Sequence, residues 1–328
     1  MHDPLITSLL RCPVCRSDIQ PKTDAIQCDN GHSFSWRNNV IDFSHVIESN
    51  YLQERSKQSF GVEWNEYYPT LGWSDAESRE EIDNFLIGTR AIPSFFSNRV
   101  VVDAGCGNGR YINIVNRLAS PPPRLILGVD LSDSIELAAR NCAAFANVVF
   151  LRIDLNLLPT VLKSPVDYVY SIGVLHHTPD AAQAFRNLAS CVTEDGFLSV
   201  FIYGKGNSLL YRVNNFLRNR FFQPWPPRLV YWVCMLLAIP GQLFRIKFFG
   251  PWLSDFVNRF VFVSQDVHNM FDAYTAGYTS FHDRNEVEGW YRSAGFSYAV
   301  DERNNRTTLY CCGQRTASSA VQPAVKTA

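Results

Sequence analysis

The sequence predicts an α/β protein built around a mostly parallel β-sheet that helices cover on both faces. Within residues 99–204, short runs of β-branched and apolar residues alternate with helical segments, a pattern typical of βαβ units. The first of these runs leads into a turn with three closely spaced glycines, which opens a helix. The chain has 328 residues, of which 46% are hydrophobic and 19% charged, so it can bury a large core.

Five apolar runs are predicted to form the parallel strands. They lie at residues 100–103, 125–130, 148–154, 168–172 and 197–203. The helices between them are predicted to end near residue 118 and to cover residues 132–146 and 180–191. Because parallel neighbours need a crossover connection between them, this alternation of strand and helix fits a sheet covered on both faces.

The α/β pattern resumes near the C-terminus, after a long apolar stretch. Asp283, followed three residues later by Glu286, predicts the capping box of a helix that ends before Gly295. Residues 296–300 and 307–312 are then predicted to form a pair of strands.

The sequence predicts four parts along the chain. A short cysteine-bearing domain occupies residues 1–45, and a helical linker or lid rich in aromatic residues occupies residues 46–98. The α/β domain covers residues 99–313 and contains a helical insert at residues 205–265. The small and polar residues 314–328 predict a disordered tail.

The glycine turn is the first candidate for a binding site. Residues 103–111 read DAGCGNGRY, with Gly105, Gly107 and Gly109 between a strand and a helix. Glycine is needed where the backbone turns sharply and a ligand must approach the peptide without a Cβ in the way. Arg110 stands where a dinucleotide fingerprint has its third glycine, which argues against NAD or FAD.

Three predicted strands end in or next to an acidic residue, namely Asp103, Asp130 and Asp154. The carboxyl ends of parallel strands meet at one edge of a sheet, so the three carboxylates are expected to border one crevice. There they can accept hydrogen bonds from the cationic, ribose and adenine groups of a nucleoside. The alternative is that each aspartate only caps the helix that follows it.

The ordered motifs DAGCGNGR, GVDLS, DYVYSIGVLHHTPD and EDGFLSVFIYG resemble those of class I S-adenosylmethionine-dependent methyltransferases, and especially those that act on small molecules. The resemblance is strong over residues 99–204 and looser over 266–312. It implies a Rossmann-like sheet of seven strands with the last strand antiparallel. It also implies a cofactor site formed by Asp103, Gly105, Gly107, Gly109, Asp130, Leu131, Asp154, Leu155 and Ser171.

A methyltransferase aligns its acceptor with the methyl group and needs a base when the acceptor is a hydroxyl or an amine. His176 and His177, after the fourth strand, and His282, before the last helix, are the candidates for this base. The alternative for each is a local packing or capping contact.

A metal site is predicted in the N-terminal domain. Cys12 and Cys15 form one pair of ligands, and Cys28 and His32 form a second pair. Two such pairs close a tetrahedral site, which favours structural zinc, and so small a domain has too little core to fold without support. Similar zinc ribbons in some ribosomal-RNA methyltransferases contact RNA, but residues 1–45 here hold four basic and five acidic side chains. We therefore expect no nucleic-acid partner.

The insert at residues 205–265 is apolar and aromatic, and it carries eight basic residues and one acidic residue. This composition predicts an interfacial lid in peripheral contact with a membrane, or a pocket for an amphiphilic or anionic substrate. The alternative is a helical cap that packs on the core with its arginines in solvent. The favoured function is methylation of a small, amphiphilic metabolite. The alternatives are an RNA methyltransferase that docks its substrate through the ribbon and a non-catalytic scaffold that binds the cofactor.

The location predicted from the sequence is the cytoplasm, with peripheral membrane contact through the insert. No secretory signal is visible at the N-terminus. The number of cysteines, nine, is odd, and three of them belong to the predicted metal site, which does not suit a disulfide framework. The net charge of −1 provides no general attraction to nucleic acid.

Overall fold

The structure is a computed structural model that describes residues 4–46, 48–67, 75–205, 215–245, 267–300 and 308–316. Its eleven strands are β1 (Ile19–Pro21), β2 (Ala25–Cys28), β3 (Ser33–Arg37), β4 (Val40–Asp42), β5 (Val100–Ala104), β6 (Leu125–Asp130), β7 (Val148–Arg152), β8 (Val166–Ile172), β9 (Val192–Tyr203), β10 (Phe296–Val300) and β11 (Thr308–Arg315). The α-helices described are α1 (Pro4–Leu9), α2 (Tyr51–Val62), α3 (Asp75–Thr89), α4 (Arg110–Leu118), α5 (Ser134–Asn141), α6 (Leu158–Val161), α7 (Ala181–Ser190), α8 (Pro227–Arg245), α9 (Val267–Thr275) and α10 (Arg284–Ser293).

The strands form one sheet in the order β1-β2-β3-β4-β7-β6-β5-β8-β9-β11-β10. Strands β5 to β9 pair in parallel, whereas β11 is antiparallel to both β9 and β10. This confirms a Rossmann-like sheet whose last strand is antiparallel. The five parallel strands are central because their β-branched and apolar runs are buried on both faces.

The sheet has more strands than the seven predicted, because the N-terminal domain adds four, β1 to β4, to one edge. We call this domain, which also contains α1, the ribbon. Strand β4 pairs in parallel with β7, with Val40 opposite Phe150 and Asp42 opposite Arg152. A ribbon strand therefore covers the edge of β7 that would otherwise present unpaired backbone groups.

Two apolar clusters fill the space on either side of the sheet. One contains the inner residues of the ribbon together with those of α7 and α10, and the other lies under α3, α4 and α5. A third, smaller cluster joins α8 to α9. Because ribbon residues such as Ile6 and Ile26 belong to the first cluster, the ribbon shares its core with the α/β domain.

Several predicted segments differ from the structure at their ends. The predicted linker contains α2, a π-helical turn (Glu63–Tyr67) and α3. Residues 314 and 315, predicted to belong to the tail, are part of β11, which continues to Arg315 through its pairing with β10. Residues 317–328 and much of the predicted insert lie outside the described residues. Within the described part of the chain, none of the helices combines the length and apolarity needed to cross a bilayer.

Candidate active site and metal centre

A cavity of about 710 Å³ opens at the carboxyl ends of the parallel strands. This volume lies within the range of about 300–1,000 Å³ that is usual for small-molecule sites. One half of its wall comes from the segments after β5, β6 and β7, and the other half from those after β8, from the ends of β9 and β11, and from α9. Helix α2 and the following π-helical turn contribute to the wall beside both halves.

The glycine turn after β5 brings the backbone to the cavity. Gly105, Gly107 and Gly109 have φ angles of +90°, +53° and +83°, which side chains rarely tolerate. A Cβ on Gly105 would lie 2.2 Å from a methyl group of Val174, and one on Gly107 would lie 3.2 Å from the ring of Trp64. Gly105 and Gly107 line the cavity, whereas Gly109 lies behind them at the start of α4.

Asp130, at the end of β6, is held firmly beside this turn. Its Oδ2 accepts a hydrogen bond from the backbone N–H of Gly107 (2.9 Å), and its Oδ1 accepts from the backbone N–H (2.8 Å) and hydroxyl (2.7 Å) of Ser132. Burial raises the pKa of Asp130, and the hydrogen bonds from Ser132 and Gly107 oppose that rise. The next residue, Leu131, also lines the cavity.

Asp154 follows β7 and lines the same half of the cavity together with Leu155. Its Oδ1 accepts from the backbone N–H of Asn156 (2.8 Å), so the aspartate does cap the short 3₁₀ helix Leu155–Leu157. Its Oδ2 accepts from the Gln53 amide at 3.1 Å, which joins the strand end to α2. Asp154 therefore caps a helix and also lines the cavity.

Besides Gly109, two more of the predicted cofactor residues, Asp103 and Ser171, lie behind the wall. Asp103 is 1% exposed, and within the described residues neither carboxylate oxygen has a hydrogen-bond partner. Burial raises the pKa of Asp103 well above its usual range. Ser171 is fully buried and donates to the carbonyl of Ala104 at 2.8 Å, so it ties β8 to β5.

The chemistry of this half fits S-adenosylmethionine. The strained glycine backbone can approach a ligand closely, and the acidic groups of Asp103, Asp130 and Asp154 surround the turn in the order of the strand ends. Asp130 and Asp154 line the cavity and can accept hydrogen bonds from a nucleoside, whereas Asp103 lies behind the wall, where the positive charge of Arg110 favours its ionised form.

The other half of the cavity contains a buried polar cluster of His177, Asp272 and Tyr203. The Tyr203 hydroxyl donates to Asp272 Oδ2 at 2.8 Å, and His177 Nε2 lies 3.4 Å from the same oxygen. His177 Nδ1 lies 2.9 Å from the carbonyl oxygen of Tyr278, which can only accept, so Nδ1 carries a proton. Burial lowers the pKa of His177, but the charge and hydrogen bond of Asp272 outweigh it and raise the pKa overall.

The three candidate histidines lie in different environments. Only His177 lines the cavity. His176 is fully buried with its ring stacked on Tyr203 (3.7 Å between centroids), and burial lowers its pKa well below the usual range. His282 lies outside the cavity wall and is bonded through Nε2 to Ser280 (2.8 Å) and through Nδ1 to Glu286 (2.9 Å).

Sequence reasoning did not find Asp272 or Tyr203. Tyr203 is the last residue of the predicted strand 197–203, where an aromatic residue is expected to pack in the core. Asp272 belongs to α9, which follows the long insert and carries no motif. The one available signal was that Tyr203 ends the strand next to the histidine loop, at the same edge as the three aspartates.

The candidate metal centre brings the four predicted ligands together, namely Cys12, Cys15, Cys28 and His32. Their donor atoms lie close together. His32 Nδ1 is 3.7 Å from Cys12 Sγ and 3.3 Å from Cys28 Sγ, and Cys15 Sγ is 3.6 Å from Cys28 Sγ. All four atoms lie within 4.8 Å of one another. In a tetrahedral zinc site with metal–ligand bonds of about 2.0–2.3 Å, the donor atoms are separated from one another by distances close to those given above. The donor set therefore fits Zn²⁺.

Comparison with known proteins agrees with this architecture. Residues 102–198 match the family model described as "Methyltransferase domain". PKMT2 from Rickettsia typhi aligns with a TM-score of 0.50 and 13% identity, covering 72% of this chain and 53% of that one. The magnesium protoporphyrin IX methyltransferase of Synechocystis, solved with bound SAM, aligns with a TM-score of 0.47 and 14% identity over 82% of this chain and 100% of that one.

A third structure, an O-methyltransferase family protein from Burkholderia thailandensis, aligns with a TM-score of 0.45 and 18% identity, covering 74% of this chain and 57% of that one. The chain thus spans little more than half the length of two of these three proteins. At these identities the structural likeness concerns the fold alone. The family match places a methyltransferase domain at residues 102–198, which include the glycine turn and the carboxyl ends of β5 to β8.

Proposed function

We propose that the cavity binds S-adenosylmethionine in the half next to Gly105, Asp130 and Asp154, and a small amphiphilic acceptor in the half next to His177. The observation that carries this division is the topology, because β5–β7 and β8–β9 end at opposite sides of the same cavity. The second half combines aromatic walls from Phe60, Phe201 and Tyr310 with a few polar groups, a composition suited to an acceptor with an apolar body and one reactive polar atom.

When bound, the cofactor supplies an electrophilic methyl group for in-line displacement. The carboxylates of Asp130 and Asp154 hold the nucleoside part in place, and the glycine turn lets the backbone approach it. His177 accepts the acceptor's proton at Nε2, since its Nδ1 proton is held by the Tyr278 carbonyl. Asp272 stabilises the resulting imidazolium, and Tyr203 orients Asp272.

The cofactor half is tested by calorimetric titration of the full chain with S-adenosylhomocysteine. We expect Asp130→Ala to weaken binding by about ten-fold or more, because hydrogen bonds to a charged group contribute about 1.5–3 kcal/mol. Glu194→Ala is the matched control, since Glu194 is an exposed carboxylate that lies outside the cavity wall. Equal affinity in wild type and Asp130→Ala would contradict the assignment.

The acceptor half is tested by transfer of a labelled methyl group to fractionated metabolites and, separately, to RNA. We expect transfer to amphiphilic metabolites, and we expect His177→Ala to lose at least about a hundred-fold in rate while still binding S-adenosylhomocysteine. Transfer to RNA alone would replace the proposed acceptor class. Unchanged rates in His177→Ala would remove the base from the mechanism.

We also propose that Cys12, Cys15, Cys28 and His32 hold one structural Zn²⁺. Four protein ligands leave no open coordination position, so this zinc takes no part in catalysis. Metal analysis should find one zinc per chain in wild type and a clear loss in Cys15→Ser. Cys191→Ser, at a buried cysteine outside the ribbon, should keep its zinc.

A further inference from the structure

An exposed apolar surface lies on the described part of the insert. Among the described residues, eleven large hydrophobic side chains are exposed, and seven of them fall within twenty-one consecutive positions. These seven, which we call the insert face, are Phe216, Phe221, Trp225, Leu229, Trp232, Met235 and Leu236. The exposed fractions reach 66% for Leu236 and 62% for Trp232, so the insert face is a patch and not scattered surface residues.

The insert face follows from the period of α8. Leu229, Trp232 and Leu236 are spaced three and four residues apart, which places them on one side of the helix. The opposite side, with Val230 and Cys234, is buried in the cluster that joins α8 to α9. The fold therefore uses one side of α8 for internal packing and leaves the other side without a partner within the described residues.

The charge around the insert face favours an anionic partner. Residues 215–245 contain four arginines and no acidic residue, and two of these arginines, Arg220 and Arg228, are exposed, whereas Arg218 is buried. Arg220 is exposed beside Phe221, and the Arg228 side chain is 70% exposed while it also pairs with Glu66. Two tryptophans with flanking arginines are the residues that accumulate where a bilayer meets water.

We propose that the insert face docks this protein onto an anionic lipid bilayer, with α8 lying in the plane of the interface. Helix α8 lies on the membrane and does not cross it, because its inner side is occupied by α9. The apolar side chains enter the boundary between headgroups and acyl chains, and the arginines attract anionic headgroups.

Helix α8, which carries part of the insert face, contacts segments that line the cavity. Tyr231 of α8 stacks on Tyr67 (3.3 Å between centroids), at the end of the π-helical turn whose Glu63 and Trp64 line the cavity. On its inner side α8 packs against α9, which carries Asp272. If the acceptor is amphiphilic, which rests on the proposed function, docking brings its source next to the helices that enclose the cavity.

Docking is tested by flotation of the full chain with phosphatidylcholine vesicles, with and without phosphatidylglycerol. We expect binding to the anionic vesicles that exceeds binding to the neutral ones by at least about ten-fold and weakens as salt rises. The double variant Trp232→Ser, Leu236→Gln should lose about ten-fold or more in partitioning. Ile92→Gln, at a residue 64% exposed but outside the insert face, is the matched control and should bind like wild type.

Other results would overturn the proposal. One is the absence of binding at any lipid composition, and another is equal binding by wild type and the double variant. A third is a wild-type dimer in light scattering that the double variant converts to a monomer, which would assign the insert face to a second copy of the chain. Circular dichroism and S-adenosylhomocysteine calorimetry on the same variant separate loss of docking from loss of the fold or of the cofactor site.

Discussion

His176 and His177 are neighbours in sequence, yet their surroundings are opposite. His176 lies under Tyr203 with neither ring nitrogen hydrogen-bonded within the described residues, and its lowered pKa keeps it neutral. His177 faces Asp272 and the cavity. The sequence predicts that a histidine of this loop faces the ligand, but it does not show which of the two adjacent rings does so. That choice depends on how the side chains of α9 and β9 pack against the loop.

The charge of Asp272 governs the titration of His177. We expect Asp272→Asn to lower the pKa of His177, since burial is then opposed only by the Tyr278 carbonyl and the charge of Glu63. Because the folded pKa is raised, the pair's stabilisation is complete below the ordinary histidine pKa of about 6.5 and disappears as pH rises through the folded value. The difference in unfolding free energy between wild type and Asp272→Asn should therefore be larger at acidic than at alkaline pH.

NMR titration of labelled histidine measures this pKa directly, and denaturant unfolding at several pH values measures the stability difference. Asp180→Asn removes a negative charge near the histidine loop while keeping a side-chain oxygen that can cap α7, so it is the control and should leave the titration of His177 unchanged. An identical titration curve for His177 in wild type and Asp272→Asn would show that the two groups are not coupled.

Among the elements, the strands and the caps were the most predictable from sequence. The β-branched runs of β5 and β6 occur where predicted because a strand buried on both faces must be apolar throughout. The cap of α10 by Asp283 is likewise local, with Glu286 N–H donating to its carboxylate. The pairing of β4 with β7 was not predictable, because a parallel contact between segments over a hundred residues apart leaves no local pattern.

Two helical glycines differ in what surrounds them. A Cβ on Gly88 of α3 would lie 2.4 Å from the ring of Tyr310, whereas one on Gly289 of α10 would meet nothing within 4 Å. We expect Gly88→Ala to lower the unfolding free energy by about 1–3 kcal/mol, because a crowded contact must shift. Gly289→Ala should raise it by about 0.5–1 kcal/mol, because alanine restricts the unfolded chain and favours helix.

Urea unfolding of both variants beside wild type provides the comparison, and each variant serves as the control for the other. Because both substitutions are the same change within a helix, helix propensity cancels between them. Equal effects of the two substitutions would mean that α3 does not pack closely on β11.

In the whole molecule, the ribbon and the cavity are joined through Arg152 at the end of β7. Its guanidinium lies 3.8 Å from Asp42 of the ribbon, 3.0 Å from Asp133 and 3.1 Å from Glu136. The last two residues follow the Asp130 loop. The Arg152 side chain is 17% exposed, but the side chains of Asp133 and Glu136 are 78% and 41% exposed, so solvent partly screens these two ion pairs. The metal centre is thus far along the chain from the cavity but linked to it through one sheet edge.

This link predicts that the state of the metal centre affects cofactor affinity. Removing zinc from the wild-type chain should weaken S-adenosylhomocysteine binding several-fold, because the ribbon would release β4 and Asp42 from the edge that supports the Asp130 loop. In Arg152→Met the same treatment should change affinity much less, since the bridge is already absent. Calorimetry on four samples, each chain with and without zinc, measures the coupling free energy, and reciprocity requires the ligand to strengthen zinc retention by the same factor. Equal losses in both chains would mean that the ribbon supports the cavity through the shared apolar core and not through Arg152.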